Sequence, residues 1–146
     1  MVEVEFKMAE GCEDLIPSRA NPGDAGFDLR SSEEVTLAPG ERKLIKTGLF
    51  LGLPAFYEAQ VRPRSGLAYK HGITVVNAPG TIDEGYRGEV GVILLNTDKD
   101  QAFKINRGER IAQMIIQRLP EVTLKQVEVL TETVRGAGGF GSSGVH

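Results

Sequence analysis

The feature that most restricts this chain is the rhythm of its turns. Asn21-Pro22-Gly23, Ala38-Pro39-Gly40, Ala78-Pro79-Gly80, Thr97-Asp98-Lys99-Asp100 and Asn106-Arg107-Gly108 punctuate it at short intervals. Residues of these types preset backbone angles that long helices and unbroken strands do not accept. Between the turns, apolar residues recur at every second position: Val2, Val4, Phe6 and Met8, then Phe103 and Ile105, then Val122 and Leu124, then Val127 and Val129. A period of two puts alternate side chains on opposite faces of a strand, so these are expected to be half-buried strands. Many short strands with regular turns predict an all-β sandwich or barrel. Residues 91–95 form a continuous apolar run, expected as a strand buried on both faces at the centre of the core. Residues 109–118 fit two templates, since Ile111, Met114 and Ile115 also lie along one helical face; strand is the expectation taken here. Residues 65–70 carry no β-branched side chain and suit a short helix.

A chain of 146 residues can bury one core without disulfides or a structural metal, so one domain is expected. From Arg135 the composition turns to glycine and serine with almost no core-forming side chains. A barrel over residues 1–134 and a mobile tail over residues 135–146 are therefore expected. The single cysteine, Cys12, cannot pair within the chain and suits a reducing cytoplasm. The N-terminus alternates apolar and charged residues with no basic lead, unlike a signal peptide. No apolar run approaches the length needed to cross a bilayer of roughly 30 Å, so no membrane partner is expected.

A net charge of −3 argues against a surface for nucleic acid, whose backbone attracts a positive excess. The arginines are nonetheless concentrated in glycine-containing segments, which leaves small phosphorylated ligands open. The chain has no phosphate-binding loop of the Gly-x-x-x-x-Gly-Lys-Ser/Thr type, no zinc-deaminase signature and no serine elbow. Gly136, Gly138 and Gly141 match a dinucleotide fingerprint by spacing alone, with too few residues after them for the helix that fingerprint requires.

Four segments carry chemistry. Arg64-Ser65-Gly66 offers a guanidinium, a hydroxyl and an unencumbered amide that can cradle phosphate oxygens; an ordinary polar turn has the same composition. Residues 78–88 read as a hairpin in which proline and glycines bracket Asp83 and Tyr86, a cap or a solvated charge being the alternative role for the acid. Asp24 and Asp28 flank Gly26 and suit either metal binding or Asx turns. Phe140, alone in a glycine-rich tail, has no neighbours with which to build a core and is expected to meet a ligand or partner.

In this order the segments resemble the five motifs of the trimeric dUTP pyrophosphatase family. Asp24-Ala25-Gly26-Phe27-Asp28-Leu29 is similar to the first and Pro63-Arg64-Ser65-Gly66-Leu67-Ala68 to the second. Gly80-Thr81-Ile82-Asp83-Glu84-Gly85-Tyr86-Arg87-Gly88 is similar to the third and Arg107-Gly108-Glu109-Arg110-Ile111-Ala112-Gln113 to the fourth. The fifth is matched by Arg135-Gly136-Ala137-Gly138-Gly139-Phe140-Gly141-Ser142-Ser143-Gly144.

The resemblance implies a distorted β-barrel or jelly roll that assembles as a homotrimer, each active site drawing on more than one subunit. It implies hydrolysis of dUTP to dUMP and pyrophosphate, which limits uracil in DNA and supplies dUMP for dTMP synthesis. Asp83 would activate the water that attacks the α-phosphate, and Tyr86 would stack under the deoxyribose. Asn77 and the backbone of Gly80, Thr81 and Ile82 would read the uracil edge. Arg64, Ser65, Gly66 and Gln113 would contact phosphates, Asp28 would hold waters of Mg²⁺, and Arg135, Phe140, Gly141 and Ser142 would close the site. Two alternatives stand beside it. A dCTP deaminase shares an Asp-x-Gly-Phe/Tyr-x-Gly segment but needs a catalytic Glu where this chain has Ile93. A non-catalytic nucleotide-binding trimer would lack the base or the tail, and this chain has both Asp83 and Phe140.

Overall fold

The structure, a computed structural model, describes residues 1–145, so the last residue of the expected tail, 146, lies outside the described residues. It is built from strands. In chain order these are β1 (Glu5–Met8), β2 (Phe27–Arg30), β3 (Val35–Leu37), β4 (Arg42–Gly52) and β5 (Tyr57–Arg62), then, after the helix α1 (Ser65–His71), β6 (Ile73–Val75), β7 (Gly80–Ile82), β8 (Glu89–Asn96), β9 (Phe103–Ile105) and β10 (Arg110–Arg118). They form a sheet of order β1-β4-β8-β6, a second of order β2-β10-β5-β7 and a small pair β3-β9, all antiparallel. The alternation of apolar and polar residues drives this: each four-stranded sheet turns one apolar face inward. The core between them includes Ile45 and Leu49 of β4, Val61 of β5, Val92 and Leu94 of β8, and Ile111 and Met114 of β10.

The ambiguous segment 109–118 is a strand, hydrogen-bonded to β2 on one side and β5 on the other. Its helix-like spacing has a local cause. The pairing slips between Arg110 and Ala112, so Ile111 and Ala112 are both buried where strict alternation would expose one. A bulge of this kind shifts the phase of a strand by one residue and breaks the period of two. The strand β4 slips likewise between Lys46 and Phe50, around Gly48, whose φ is +72°. A Cβ at Gly48 would lie 2.7 Å from Cys12 Sγ, so both the backbone and the packing there require glycine.

The run 91–95 lies in β8, at the centre of its sheet between β4 and β6. Val92 and Leu94 are buried on the inner face, while Gly91, Ile93 and Leu95 are half-buried on the other. The strand β8 ends on Asn96, which is fully buried and has its polar atoms satisfied. Its Nδ2 donates to the carbonyls of Leu37 and Gln101, and its Oδ1 accepts the N–H of Asp98. This joins three chain segments at one end of the barrel. Nearby, Arg107 donates twice to Asp14, at 2.8 Å each, and once to the Gly11 carbonyl, clamping the 3-10 turn Glu13–Leu15 against the turn before β10. The guanidinium hydrogen bonds hold the Asp14 carboxyl down at about 2.

Two expectations fail. Val122, Leu124, Val127 and Val129 belong to no strand: β10 ends at Arg118 and residues 119–145 carry none. Leu124 is 95% exposed, because alternation without a partner strand forms no ladder and buries no face. Nor do residues 78–88 pair as a hairpin. The strand β7 pairs with β5 and β8 pairs with β4 and β6, so this segment crosses from one sheet to the other. The expected short helix at 65–70 is present as α1, closed by Gly72 at φ +66°, and it packs Leu67 on the core. Among the described residues no helix is long and apolar enough to cross a membrane.

Candidate active site

The strand β10 aligns the first cluster. Gln113 is paired with Asp28 of β2 on one side and with Arg62 of β5 on the other, so the first, second and fourth motifs meet at one end of the sheet. A cleft of about 320 Å³ opens there, lined by Asp28, Arg64, Ser65, Gly66, Arg110 and Gln113, with Asp24 and Gly26 on its wall. Arg64 Nε stands 3.6 Å from Asp28 Oδ1 and Arg110 Nη1 stands 3.5 Å from Oδ2. Arg64 Nη1 also donates to the Arg110 carbonyl at 3.3 Å. The Asp28 side chain is only 15% exposed, so it neutralises and orients two guanidinium groups that still face the cleft. Gln113 Nε2 donates to the Pro63 carbonyl at 2.9 Å, fixing the chain just before Arg64. Gly26 leaves room for the Gln113 side chain, since a Cβ would sit 2.7 Å from Gln113 Oε1 and 3.1 Å from its Cβ and would displace it. Asp24 accepts the backbone N–H and the side-chain amide of Asn21 three residues earlier, which is a local turn contact rather than an Asx turn.

A second cluster lies on the segment that crosses between the sheets. The Asn77 amide is folded against Gly80, with Nδ2 3.2 Å from where a Cβ would be. Thr81 is exposed, while the Ile82 side chain is buried in the core, so only its backbone is available to a ligand. Asp83 is exposed at the head of a turn closed by the Tyr86 N–H donating to its carbonyl at 3.1 Å. The Tyr86 hydroxyl donates to the Glu89 carbonyl at 2.8 Å, which lays the ring over Gly88, where any Cβ would collide with it.

The two clusters are apart. The order β2-β10-β5-β7 puts three strand spacings between Asp28 and the strand leading to Asp83. The register places Asp83 next to Glu58, four residues along β5 from Arg62. At ~4.8 Å per strand and ~3.3 Å per residue the separation is on the order of 20 Å. Among the described residues the tail meets neither cluster. Phe140 is 114% exposed, and among the described residues the hydrogen bonds of the tail are local, including Arg135 Nε to the Gly138 carbonyl at 2.7 Å, Ser142 N–H to the Gly139 carbonyl at 3.0 Å and Gly136 N–H to Thr133 Oγ1 at 3.1 Å. The structure therefore brings together Asp28, Arg64, Ser65, Gly66 and Gln113, and separately Asn77, Gly80, Thr81, Ile82, Asp83 and Tyr86, and leaves Arg135, Phe140, Gly141 and Ser142 away from both.

Arg110 is a cleft residue that motif spacing did not single out for a role. Its signal is a charge just before the apolar pair Ile111 and Ala112, and the bulge between them hides the face to which it points. A metal held by the protein alone is not built in: among the described residues no three His, Cys, Asp or Glu side chains are grouped to hold an ion. One carboxylate beside a cationic cleft does fit a hydrated Mg²⁺ that arrives with a polyphosphate, since Mg²⁺ keeps several waters and binds through one or two carboxylates.

Two four-stranded antiparallel sheets closed over one core define an all-β protein of the distorted jelly-roll class. Comparison with known proteins narrows this further. The family model described as dUTPase matches residues 13–144. The deoxyuridine 5'-triphosphate nucleotidohydrolase of Clostridium novyi (strain NT) is 62% identical over 133 residues, covering 90% of this chain and 92% of that protein. That of Thermobifida fusca (strain YX) is 56% identical over 131 residues, covering 90% and 73%. Among solved structures, the dUTPase of Staphylococcus bacteriophage 80alpha with dUPNHPP superposes with a TM-score of 0.91 at 31% identity, covering 99% of this chain and 100% of that one. A point mutant of the dUTPase from phage phi11 of S. aureus, described as revealing the coordination of a structural Mg(II) ion, superposes with a TM-score of 0.82 at 26% identity, covering 90% and 100%. The chain belongs to the dUTPase family.

Proposed function

We propose that this protein hydrolyses dUTP to dUMP and pyrophosphate at a site completed by more than one copy of the chain, with Asp83 activating the water that attacks the α-phosphate. The observation that carries this reading is the split of the family's motifs on one chain: a cationic cleft around Asp28, an acid-bearing turn on the order of 20 Å away, and a tail that touches neither. A homotrimer brings a turn of one copy to the cleft of the next.

Each residue then has a role its chemistry suits. Arg64, Ser65, Gly66 and Gln113 hold phosphate oxygens, the guanidinium supplying charge and the glycine room for close approach. Asp28 takes the waters of the Mg²⁺ that the triphosphate carries, and that ion, when bound, offsets charge on the phosphate oxygens. Asn77 and the backbone of Gly80, Thr81 and Ile82 read the uracil edge. Tyr86 lies under the sugar, where its ring leaves no space for a 2′-hydroxyl. Asp83, an exposed carboxylate on a closed turn, accepts the proton from water. The barrel domain is residues 1–134, its strands ending at Arg118 and residues 119–134 leading out to the tail, and the tail 135–146 is a lid: Arg135, Gly141 and Ser142 approach the phosphates, and Phe140 covers the uracil and excludes solvent. One unpaired cysteine suits the cytoplasm.

Deamination is not supported. Ile93, at the position where the dCTP deaminases place a catalytic Glu, is an apolar half-buried residue of β8 that neither gives nor takes a proton. Incubation with dUTP and Mg²⁺, assayed for pyrophosphate and for ammonia, tests the reading. Pyrophosphate without ammonia is the expected result; ammonia release, or no turnover of dUTP, overturns it.

A further inference from the structure

We propose that Glu84 is the positioning residue for Asp83, holding the turn that carries the base against the turn between β4 and β5; this rests on the reading of Asp83 as the base. The Glu84 side chain is exposed, yet its carboxylate is engaged by the fold. Its Oε2 accepts the backbone N–H of Phe56 at 2.6 Å, a charge-assisted bond between positions 28 apart in sequence. Every other hydrogen bond of residues 83–87 is local. Tyr86 N–H reaches the Asp83 carbonyl, Arg87 Nη1 reaches the carbonyls of Glu84 and Tyr86, and the Tyr86 hydroxyl reaches the Glu89 carbonyl. Those bonds shape the turn but do not place it. Among the described residues, the Glu84–Phe56 bond alone ties residues 83–87 by a hydrogen bond to a distant part of the fold.

The receiving end is shaped for this contact. Phe56 has φ +64°, in the left-handed region that a bulky side chain occupies only where its surroundings hold it. Its carbonyl accepts the N–H of Leu119 at 2.7 Å, so the residue that anchors the Asp83 turn also anchors the point where the chain leaves the barrel. A general base must stand within hydrogen-bond reach of the water it activates, and displacement by even an ångström is costly to the rate. Glu84 is thus tied to placement of the carboxylate beside it rather than to substrate binding.

The test compares Glu84→Ala, Glu84→Gln and Asp83→Asn in the full-length protein, with dUTP and Mg²⁺. Glu84→Ala should lower kcat about ten-fold with KM within about two-fold, the pattern of a misplaced catalytic group. Glu84→Gln, whose amide oxygen can accept the same N–H, should return kcat to within about three-fold of wild type. Asp83→Asn should be nearly inactive. An inactive Asp83→Asn beside a Glu84→Ala of wild-type kcat overturns the positioning role and leaves the base in place. Equal loss in the Ala and Gln variants also overturns it, because charge rather than the bond would then matter. So does a loss in which KM rises and Tm falls together without repair by Gln, the mark of a general fold defect. An active Asp83→Asn removes the base assignment and the positioning role with it.

Discussion

At the scale of single residues, the site depends on side chains whose conformations are set by small neighbours. Asp83→Asn keeps the size of the side chain and the turn closed by the Tyr86 N–H, so the fold and dUTP binding should survive. Turnover should drop by roughly 10²-fold or more, the usual scale for a lost general base. Steady-state rates at saturating dUTP check this, and a kcat within a few-fold of wild type would show that another group activates the water. Tyr86 offers a second prediction. Its ring lies over Gly88 because no Cβ is there, so Gly88→Ala must push the ring aside. Both Gly88→Ala and Tyr86→Ala should therefore narrow the preference for dUTP over UTP, read as the ratio of the two kcat/KM values. Two unchanged ratios would mean that the sugar is selected elsewhere.

At the scale of elements, one bulge shapes the cleft and another shapes the core. The slip in β10 lets Arg110 reach the side of Asp28 while Ile111 and Ala112 both enter the core. The slip in β4 buries the consecutive residues Thr47, Gly48 and Leu49, and Gly48 at φ +72° packs against Cys12. Gly48→Ala should cost roughly 1–3 kcal/mol, combining the left-handed strain of a Cβ with overpacking against the thiol. Thermal melts of variant and wild type at one protein concentration measure the effect. Cys12→Ala should recover little of it, because the Cys12 Cβ lies as close as Sγ, 2.7 Å from the added Cβ, and remains in the alanine variant along with the backbone strain. A Gly48→Ala variant that melts with wild type would show that the bulge can relax without loss.

At the scale of the whole molecule, one chain holds all five motifs and yet builds no complete site. Two defective variants can therefore complement each other: Asp83→Asn with its tail, and a chain truncated before Arg135 that retains Asp83. Each alone should be nearly inactive. If turn and tail at any one site come from different copies, an equal mixture unfolded and refolded together gives ~1/4 of sites with both parts intact, assuming random closed trimers. Activity should reappear in proportion. If each chain closed its own site, the mixture would stay inactive even with subunit exchange confirmed by native mass.

The β class was legible in the sequence, since turn residues and a period of two act locally, and so were five of the residues that line the cleft, Asp28, Arg64, Ser65, Gly66 and Gln113, but not Arg110 beside them. The sequence also determined the short helix at 65–70. What it could not determine was pairing. The helix-like spacing of Ile111, Met114 and Ile115 comes from a bulge, which exists only against a partner strand. Residues 78–88 have the composition of a hairpin, but β7 and β8 find better partners in opposite sheets. The alternation of Val122 to Val129 is genuine in the sequence and unmet in the fold, because a strand needs an edge to bond and this segment pairs with none. The reach of Glu84 to Phe56 was likewise invisible, for a hydrogen bond spanning 28 positions is decided by how the two sheets close and not by the residues on either side of it.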